Sequence, residues 1–336
     1  MILAADIGGT NARIALFERA GGQKPFVSET YRTAAWDGVP SILREFIASH
    51  QAPITAACAA IAGPVHAGRA NAINLPWPVE QQEIARALDL PEVALVNDLA
   101  ANARGIAVLG PDDLYILNQG DPAAAGNRVV VSAGTGLGEA ALVWDGSTFR
   151  TIAGEGGHTD FAPRSDTEIA LLRYLAADYG HVSYERVCSG NGLVNIYRFL
   201  RSSGTRSGWY QWYREEAPAP SPAAIFAEAN ADPLCLSAEA VELFISIYGA
   251  RAGNVALSFM ATGGVYLGGG IAPRMVDKLG AGGFMRSFTD KGRLSPLLAR
   301  TPVFVILDDQ CALRGAAEIA ADLLPPYQLK KVVSLP

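Results

Sequence analysis

Apolar residues follow two rhythms along this chain: short runs that stop at glycines, and longer stretches in which they recur every three or four positions. Ile2–Ile7 is a short apolar run, Gly8-Gly9-Thr10-Asn11 interrupts it, and a second run extends from Ala12 to Phe17. The pattern reads as strand, glycine turn, strand. It recurs in mid-chain, where Arg128–Ser132 leads into Ala133-Gly134-Thr135-Gly136-Leu137-Gly138, and Ala140–Trp144 follows and ends at Asp145-Gly146. Two copies of one plan suggest two related lobes, each offering a glycine turn.

Helical spacing fills the intervals. Ser41–Ser49 carries Ile42, Phe46 and Ile47 on one side, and Thr167–Tyr179 places Ile169, Leu172 and Leu175 at helical intervals. Glu239–Phe259 aligns Val241, Phe244, Ile245, Tyr248 and Ala252 along one stripe. Val93–Val96 reads as a buried strand ending in Asn97-Asp98, and Leu99–Val108 as the helix after it. Near the C-terminus a strand at Val303–Leu307 precedes a helix over about Cys311–Leu324, which is expected to pack back on the first lobe. Arg201–Pro222, rich in Ser, Gly, Pro and Trp, has no period and reads as a surface excursion. The alternation of strands and helices defines an α/β protein.

Composition narrows this further. A single core rarely grows past ~250–300 residues, so a chain of 336 residues, 50% hydrophobic and 18% charged, is expected to form two lobes. The net charge of −6, with no run of Lys or Arg, argues against nucleic acid as a partner. Cys58, Cys188, Cys235 and Cys311 are scattered without metal-ligand spacing and read as buried thiols of a reducing cytoplasm. The N-terminus meets Asp6 too early for a secretory leader. The uncharged stretch from Ala252 to Pro273 is broken by Asn254 and several glycines into a helix end, a turn and a strand, so no membrane span is expected.

The glycine turns are where chemistry enters. Glycine allows positive φ and lets several backbone N–H groups approach one anion. Asp6-Ile7-Gly8-Gly9-Thr10-Asn11 suits a phosphate cradle, and a carboxylate beside phosphates calls for Mg²⁺ between them, held partly through water. An ordinary hairpin turn accounts for that segment equally well by itself. Gly134-Thr135-Gly136-Leu137-Gly138 has G-x-G-x-G spacing with a strand after it, which departs from the dinucleotide fingerprint, and the phosphate-loop motif with Lys is absent from the sequence. Gly263 to Gly270 leaves room for a flat group such as adenine, or for close helix–strand packing.

Several polar groups are candidates for handling a polyol. Asp98 is either a helix cap or a general base for an attacking hydroxyl. Gly154-Glu155-Gly156-Gly157-His158 is expected to bury a Glu–His pair supplying both acceptor and donor, a solvent-exposed loop being the alternative. Glu185 and the amide of Asn74, beside Pro76-Trp77, are further candidates, each open to a surface reading.

Together these residues resemble the bacterial glucokinase family within the actin-like ATPase and sugar-kinase superfamily. The resemblance runs nearly end to end and rests on the segments 6–13, 96–98, 133–138, 154–163, 181–187 and 268–273. It implies two ribonuclease-H-like lobes, residues 1–108 plus about 311–336 and residues 109–310, with the active site in the cleft between them. Asn74, Asn97, Asp98, Glu155, His158 and Glu185 would bind glucose, with Asp98 as base. Asp6, Ile7, Gly8, Gly9, Thr10, Asn11, Gly134, Thr135, Gly136, Gly268 and Gly269 would hold ATP, with Asp6 toward Mg²⁺. The expected product is glucose 6-phosphate, made in the cytoplasm by a homodimer. The rivals are a kinase for another hexose and a sugar sensor without catalysis. The related ROK kinases carry a cysteine-rich zinc site after their glutamate–histidine motif. Here Thr159-Asp160-Phe161 follows His158, so no structural zinc is expected.

Overall fold

The computed structural model describes residues 1–18, 24–72, 75–203 and 218–325. Its chain falls into two compact units, the first formed by Met1–Leu114, Ala140–Ala153 and the residues from Asp308 onward, the second by Tyr115–Glu139 and Gly154–Leu307.

The first unit contains a five-stranded sheet in the order Val27–Arg32, Asn11–Phe17, Ile2–Ile7, Ala56–Ile61, Ala94–Asn97. The first three strands pair antiparallel through the glycine turn and the connection after it; the last two join Ile2–Ile7 in parallel. Side chains alternate across a strand, so Leu3, Ala5 and Ile7 enter one core while Ile2 and Ala4 enter another. The first core is closed by the helices Val39–His50 and Gln81–Leu88, through Ile42, Leu43, Phe46 and Ile84. The second is rich in small residues, with Ala4, Ala15, Ala56, Cys58 and Ala60 facing Ala316, Ala317 and Ala320 of the helix Cys311–Ala321 beside the larger Ile2, Phe17 and Leu313. This helix crosses Asp98–Gly105 so tightly that a Cβ on Gly315 would collide with the Ala101 carbonyl, and one on Gly105 with the Cys311 carbonyl.

A six-stranded sheet has the order Phe149–Gly154, Leu137–Trp144, Arg128–Ala133, Gly264–Gly268, Val303–Ile306, Leu114–Asn118. Arg128–Ala133, Gly264–Gly268 and Val303–Ile306 run parallel. In the second unit the helix Leu236–Phe259 buries Val241, Phe244, Ile245, Tyr248 and Ala252, all five of the stripe expected from sequence. Its Tyr248 hydroxyl donates to the Val131 carbonyl at 2.8 Å, pinning the strand that leads into the second glycine turn.

The helix Asp166–Tyr179 corrects one expectation. Its buried side is Glu168, Leu171 and Leu175, whereas Ile169 is exposed and Leu172 half-buried. Glu168 can lie inside because Arg164 pairs with it at 3.1 Å, so an ion pair displaces the purely apolar stripe. Of the segment Arg201–Pro222, residues 204–217 lie outside the described residues; the helix before them is Gly190–Ser203, and Ser221 caps the helix Pro222–Ala231 at its start. No single helix among the described residues is long and apolar enough to cross a membrane.

Candidate functional site

In the first unit, three parallel strand ends are level with one another. Ile7 pairs with Ile61 and Ile61 with Asn97, so the Gly8 turn, the segment after Ile61 and Asp98 all emerge from the same edge. Carboxyl ends of parallel strands are where α/β folds place ligands, since loops there diverge around a concave edge. The first glycine turn is closed by the Gly8 N–H donating to the Asn11 carbonyl at 2.9 Å, and the Thr33 hydroxyl donates to the Gly8 carbonyl at 2.8 Å. Its glycines and those of the second turn do not need left-handed backbone: Gly8, Gly9, Gly134 and Gly136 lack positive φ, whereas Gly269 has φ of 79°. The first two turns therefore use glycine for room rather than for handedness, a correction to the sequence expectation.

Asn97 takes the capping role that the sequence left open at Asp98. Asn97 is the helix cap, its Oδ1 accepting from the N–H groups of Leu99 at 2.9 Å and Ala100 at 3.3 Å. Its Nδ2 donates to the Gly63 carbonyl at 3.1 Å, tying two strand ends together. Asp98 is the first residue of the helix rather than its cap, and its own carboxylate also accepts from the Leu99 N–H at 3.0 Å. The cap reading of Asp98 is thereby corrected.

Asp6 is half-buried on its strand, opposite Arg13 in the register. Burial pushes its carboxyl above the usual carboxylate range, and the Arg13 guanidinium works against that shift. Arg13 is itself engaged with Asp309, donating to its carbonyl at 2.7 Å. Among the described residues no group of three or more His, Cys, Asp or Glu side chains is arranged to hold a metal. A cation at Asp6 would therefore take one protein carboxylate and fill its shell from phosphate oxygens and water, the mode usual for nucleotide-bound Mg²⁺. A desolvated carboxyl fits such a cation.

The second unit gathers the remaining motifs. The Phe161 N–H donates to the Val182 carbonyl at 2.9 Å and the Tyr184 N–H to the Thr159 carbonyl at 3.0 Å, which sets the Glu155–His158 turn beside Glu185. The Glu185 carboxylate accepts from the Leu137 N–H at 3.0 Å, inside the second glycine turn, and a Cβ on Gly136 would stand 2.5 Å from its Oε2. The third glycine cluster adjoins the same place, with the Ile271 N–H donating to the Ala133 carbonyl at 3.2 Å and Gly269 pressed against that carbonyl.

Glu155 and His158 are not buried as expected: their side chains are 64% and 59% exposed, with the carboxylate and imidazole 3.9 Å apart. The turn inverts the expectation because its backbone is the buried part. Gly157 packs on the Leu137 carbonyl, so the two side chains project outward from a fixed base. Asp160, in the segment that follows His158, is paired with His181 at 2.9 Å. Asn74 lies outside the described residues.

Sequence reasoning overlooked the residues beneath that turn. Arg251 donates from Nε and Nη2 to the two carboxylate oxygens of Glu139 at 2.6 and 2.7 Å, and from Nη2 to the Gly156 carbonyl at 2.7 Å. One signal was available: Arg251 is a lone charge in an apolar stretch between Tyr248 and Asn254. The cysteines do little at the site. Cys58, Cys188 and Cys311 are buried free thiols, and burial raises the Cys311 thiol to about 12.

Parallel strands that end in glycine turns, with a carboxylate at a strand end, fit a sugar kinase of the actin-like ATPase fold. The glucokinase family model matches residues 3–323. The chain belongs to the glucokinase family, enzymes that phosphorylate glucose with ATP. It is 38% identical over 339 residues to the glucokinase of Nostoc punctiforme, across 96% of this chain and 99% of that protein. It is similar to the crystal structure of a glucokinase from an Antarctic psychrotroph, at 30% identity and a TM-score of 0.84 over 96% of this chain and 98% of that one. It shares its fold with a ROK-family glucokinase of Streptomyces griseus solved with glucose and AMPPNP, at 19% identity and a TM-score of 0.61 over 96% of this chain and 99% of that one.

Proposed function

We propose that the protein transfers the γ-phosphoryl group of ATP to the 6-hydroxyl of glucose in the cytoplasm, as the first step of glycolysis, with Asp98 as general base. The observation that carries this reading is the placement of Asp98. It heads a helix already capped by Asn97, at the parallel strand edge it shares with the Asp6–Asn11 turn. A carboxylate placed there can take the hydroxyl proton as the bond to phosphorus forms. Glucose is held by Glu155, His158 and Glu185, whose carboxylates and imidazole match the alternating donors and acceptors of a polyol. The glycine turns at Gly8, Gly134–Gly136 and Gly268–Gly269 receive the nucleotide through backbone N–H groups. Mg²⁺ bound with ATP at Asp6 would neutralise phosphate charge. The protein's own contribution is to orient the hydroxyl, accept its proton at a carboxylate oxygen and hold the phosphates against backbone.

A coupled assay of ATP consumption across glucose, mannose and fructose, with the product analysed for the phosphate position, tests the reading. Glucose is expected to be turned over with the highest kcat/KM and to give the 6-phosphate. Preference for another hexose would replace the substrate, and sugar binding without ATP consumption would make the protein a sensor.

A further inference from the structure

The helix Leu236–Phe259 is buried along most of its length, yet it carries Arg251 in its interior. Desolvating a guanidinium is costly unless every donor direction is used. Arg251, with its side chain 12% exposed, offsets part of that cost from Nε and Nη2, through the bidentate pair with Glu139, 7% exposed, and through the Gly156 carbonyl. Its guanidinium also lies over the Tyr184 ring at 4.5 Å from the centroid, and the Tyr184 hydroxyl accepts from Asn254 on the same helix at 3.0 Å. About one turn of helix therefore grips two separate segments: the turn that carries Glu155 and His158, and the turn that carries Glu185.

Glycine at position 156 belongs to the same device. A Cβ there would collide with Glu139 Oε2, and 2.9 Å would separate it from Arg251 Nη2, so the ion pair runs directly beneath the turn. Glu139 is two residues from Leu137, whose N–H holds the Glu185 carboxylate. Both outward-facing side chains, Glu155 and His158, stand on backbone that this pair fixes.

We infer that Arg251 is a positioning residue for sugar binding, holding the Glu155–His158 turn and the Tyr184–Arg186 turn in fixed relation through Gly156, Tyr184 and Glu139. It touches no substrate in this role. Exposed side chains on an untethered turn would have to be ordered by the ligand, and that ordering cost would appear as lost affinity. The inference rests on the reading that Glu155, His158 and Glu185 bind glucose. ATP, held at glycine turns with backbone contacts of their own, is affected less.

The test is a double variant, E139M/R251M, which removes both buried charges together and so leaves neither unpaired. It is compared with R251K, which keeps a cation for Glu139 but lacks the planar fork needed to reach the carboxylate and the Gly156 carbonyl at once. Glucose KM is expected to rise at least ~10-fold in the double variant and about 3-fold in R251K, with ATP KM within about 2-fold of wild type. Unfolding midpoints by calorimetry show which variants are folded, and R251K supplies the answer should the double variant fail to fold. A wild-type glucose KM in the folded variants overturns the role, as does an equal rise for both substrates, which marks general damage. E155A is the reference. If it raises glucose KM while the Arg251 variants do not, the positioning role alone falls; if E155A leaves glucose KM unchanged, the sugar-site reading falls and takes this inference with it.

Discussion

Asp98 and Asn97 are neighbours with unlike duties, and the division gives a clean experiment. Because Asn97 supplies the cap, replacing Asp98 does not uncap the helix. Asp98→Asn is expected to lower kcat at least ~10²-fold, the contribution usual for a positioned base. ATP KM and the unfolding midpoint should stay near wild type. Near-full kcat would strip Asp98 of the base role and leave Asp160, paired with His181, as the carboxylate to examine. Asp6 behaves differently. Its raised proton affinity in the fold means that ionising it subtracts stability as pH rises from the ordinary carboxylate value through the raised value it has in the fold. Asp6→Asn is therefore expected to unfold at the same or higher denaturant concentration at pH 7, an advantage that shrinks as pH falls toward 4, while turnover with Mg²⁺–ATP drops. Loss of stability at pH 7 with turnover intact would contradict both halves.

At the level of elements, the second glycine turn and Glu185 are one structure. The Leu137 N–H holds the Glu185 carboxylate, and position 136 has no space for a side chain on that side. Gly136→Val is accordingly expected to raise the KM for both ATP and glucose in steady-state kinetics, through blocked backbone and displaced carboxylate. A change confined to ATP would separate the two. The crossing of Asp98–Gly105 with Cys311–Ala321 makes a similar demand. Gly315 abuts the Ala101 carbonyl, so Gly315→Val must push apart the helix that begins with Asp98. Overpacking of this kind costs about 1–3 kcal/mol, read as a lower urea midpoint, and kcat is expected to fall with it.

For the whole molecule the expectations concern ligand and assembly. A ligand that binds only the folded chain stabilises it by about 2.7 kcal/mol at one hundred times its Kd. Glucose is thus expected to raise the melting temperature, and a hexose that is not a substrate to leave it unchanged; equal shifts for all hexoses would remove glucose selectivity. The homodimer proposal rests on family resemblance, and light scattering at assay concentration is expected to give twice the chain mass. A monomer would refute it without touching the catalytic proposals.

Much of the fold was legible because it depends on local rhythm. Strand, glycine turn and strand appear at Ile2–Phe17 and again at Arg128–Trp144, and the stripe on Leu236–Phe259 is buried as its spacing implies. The order of motifs likewise carried the family, since glycine turns, Asn97-Asp98 and the Glu155–His158 turn are contiguous in sequence. What sequence alone could not decide was which of two neighbouring side chains caps the helix, because both suit that role. Nor could it decide whether Glu155 and His158 face inward, since a glycine-rich turn buries either its backbone or its side chains depending on what lies beneath. Here Arg251 lies beneath, 95 residues further along the chain. Only tertiary structure brings such residues together, because a buried charge declares its partner through the packing of distant segments rather than through any local pattern.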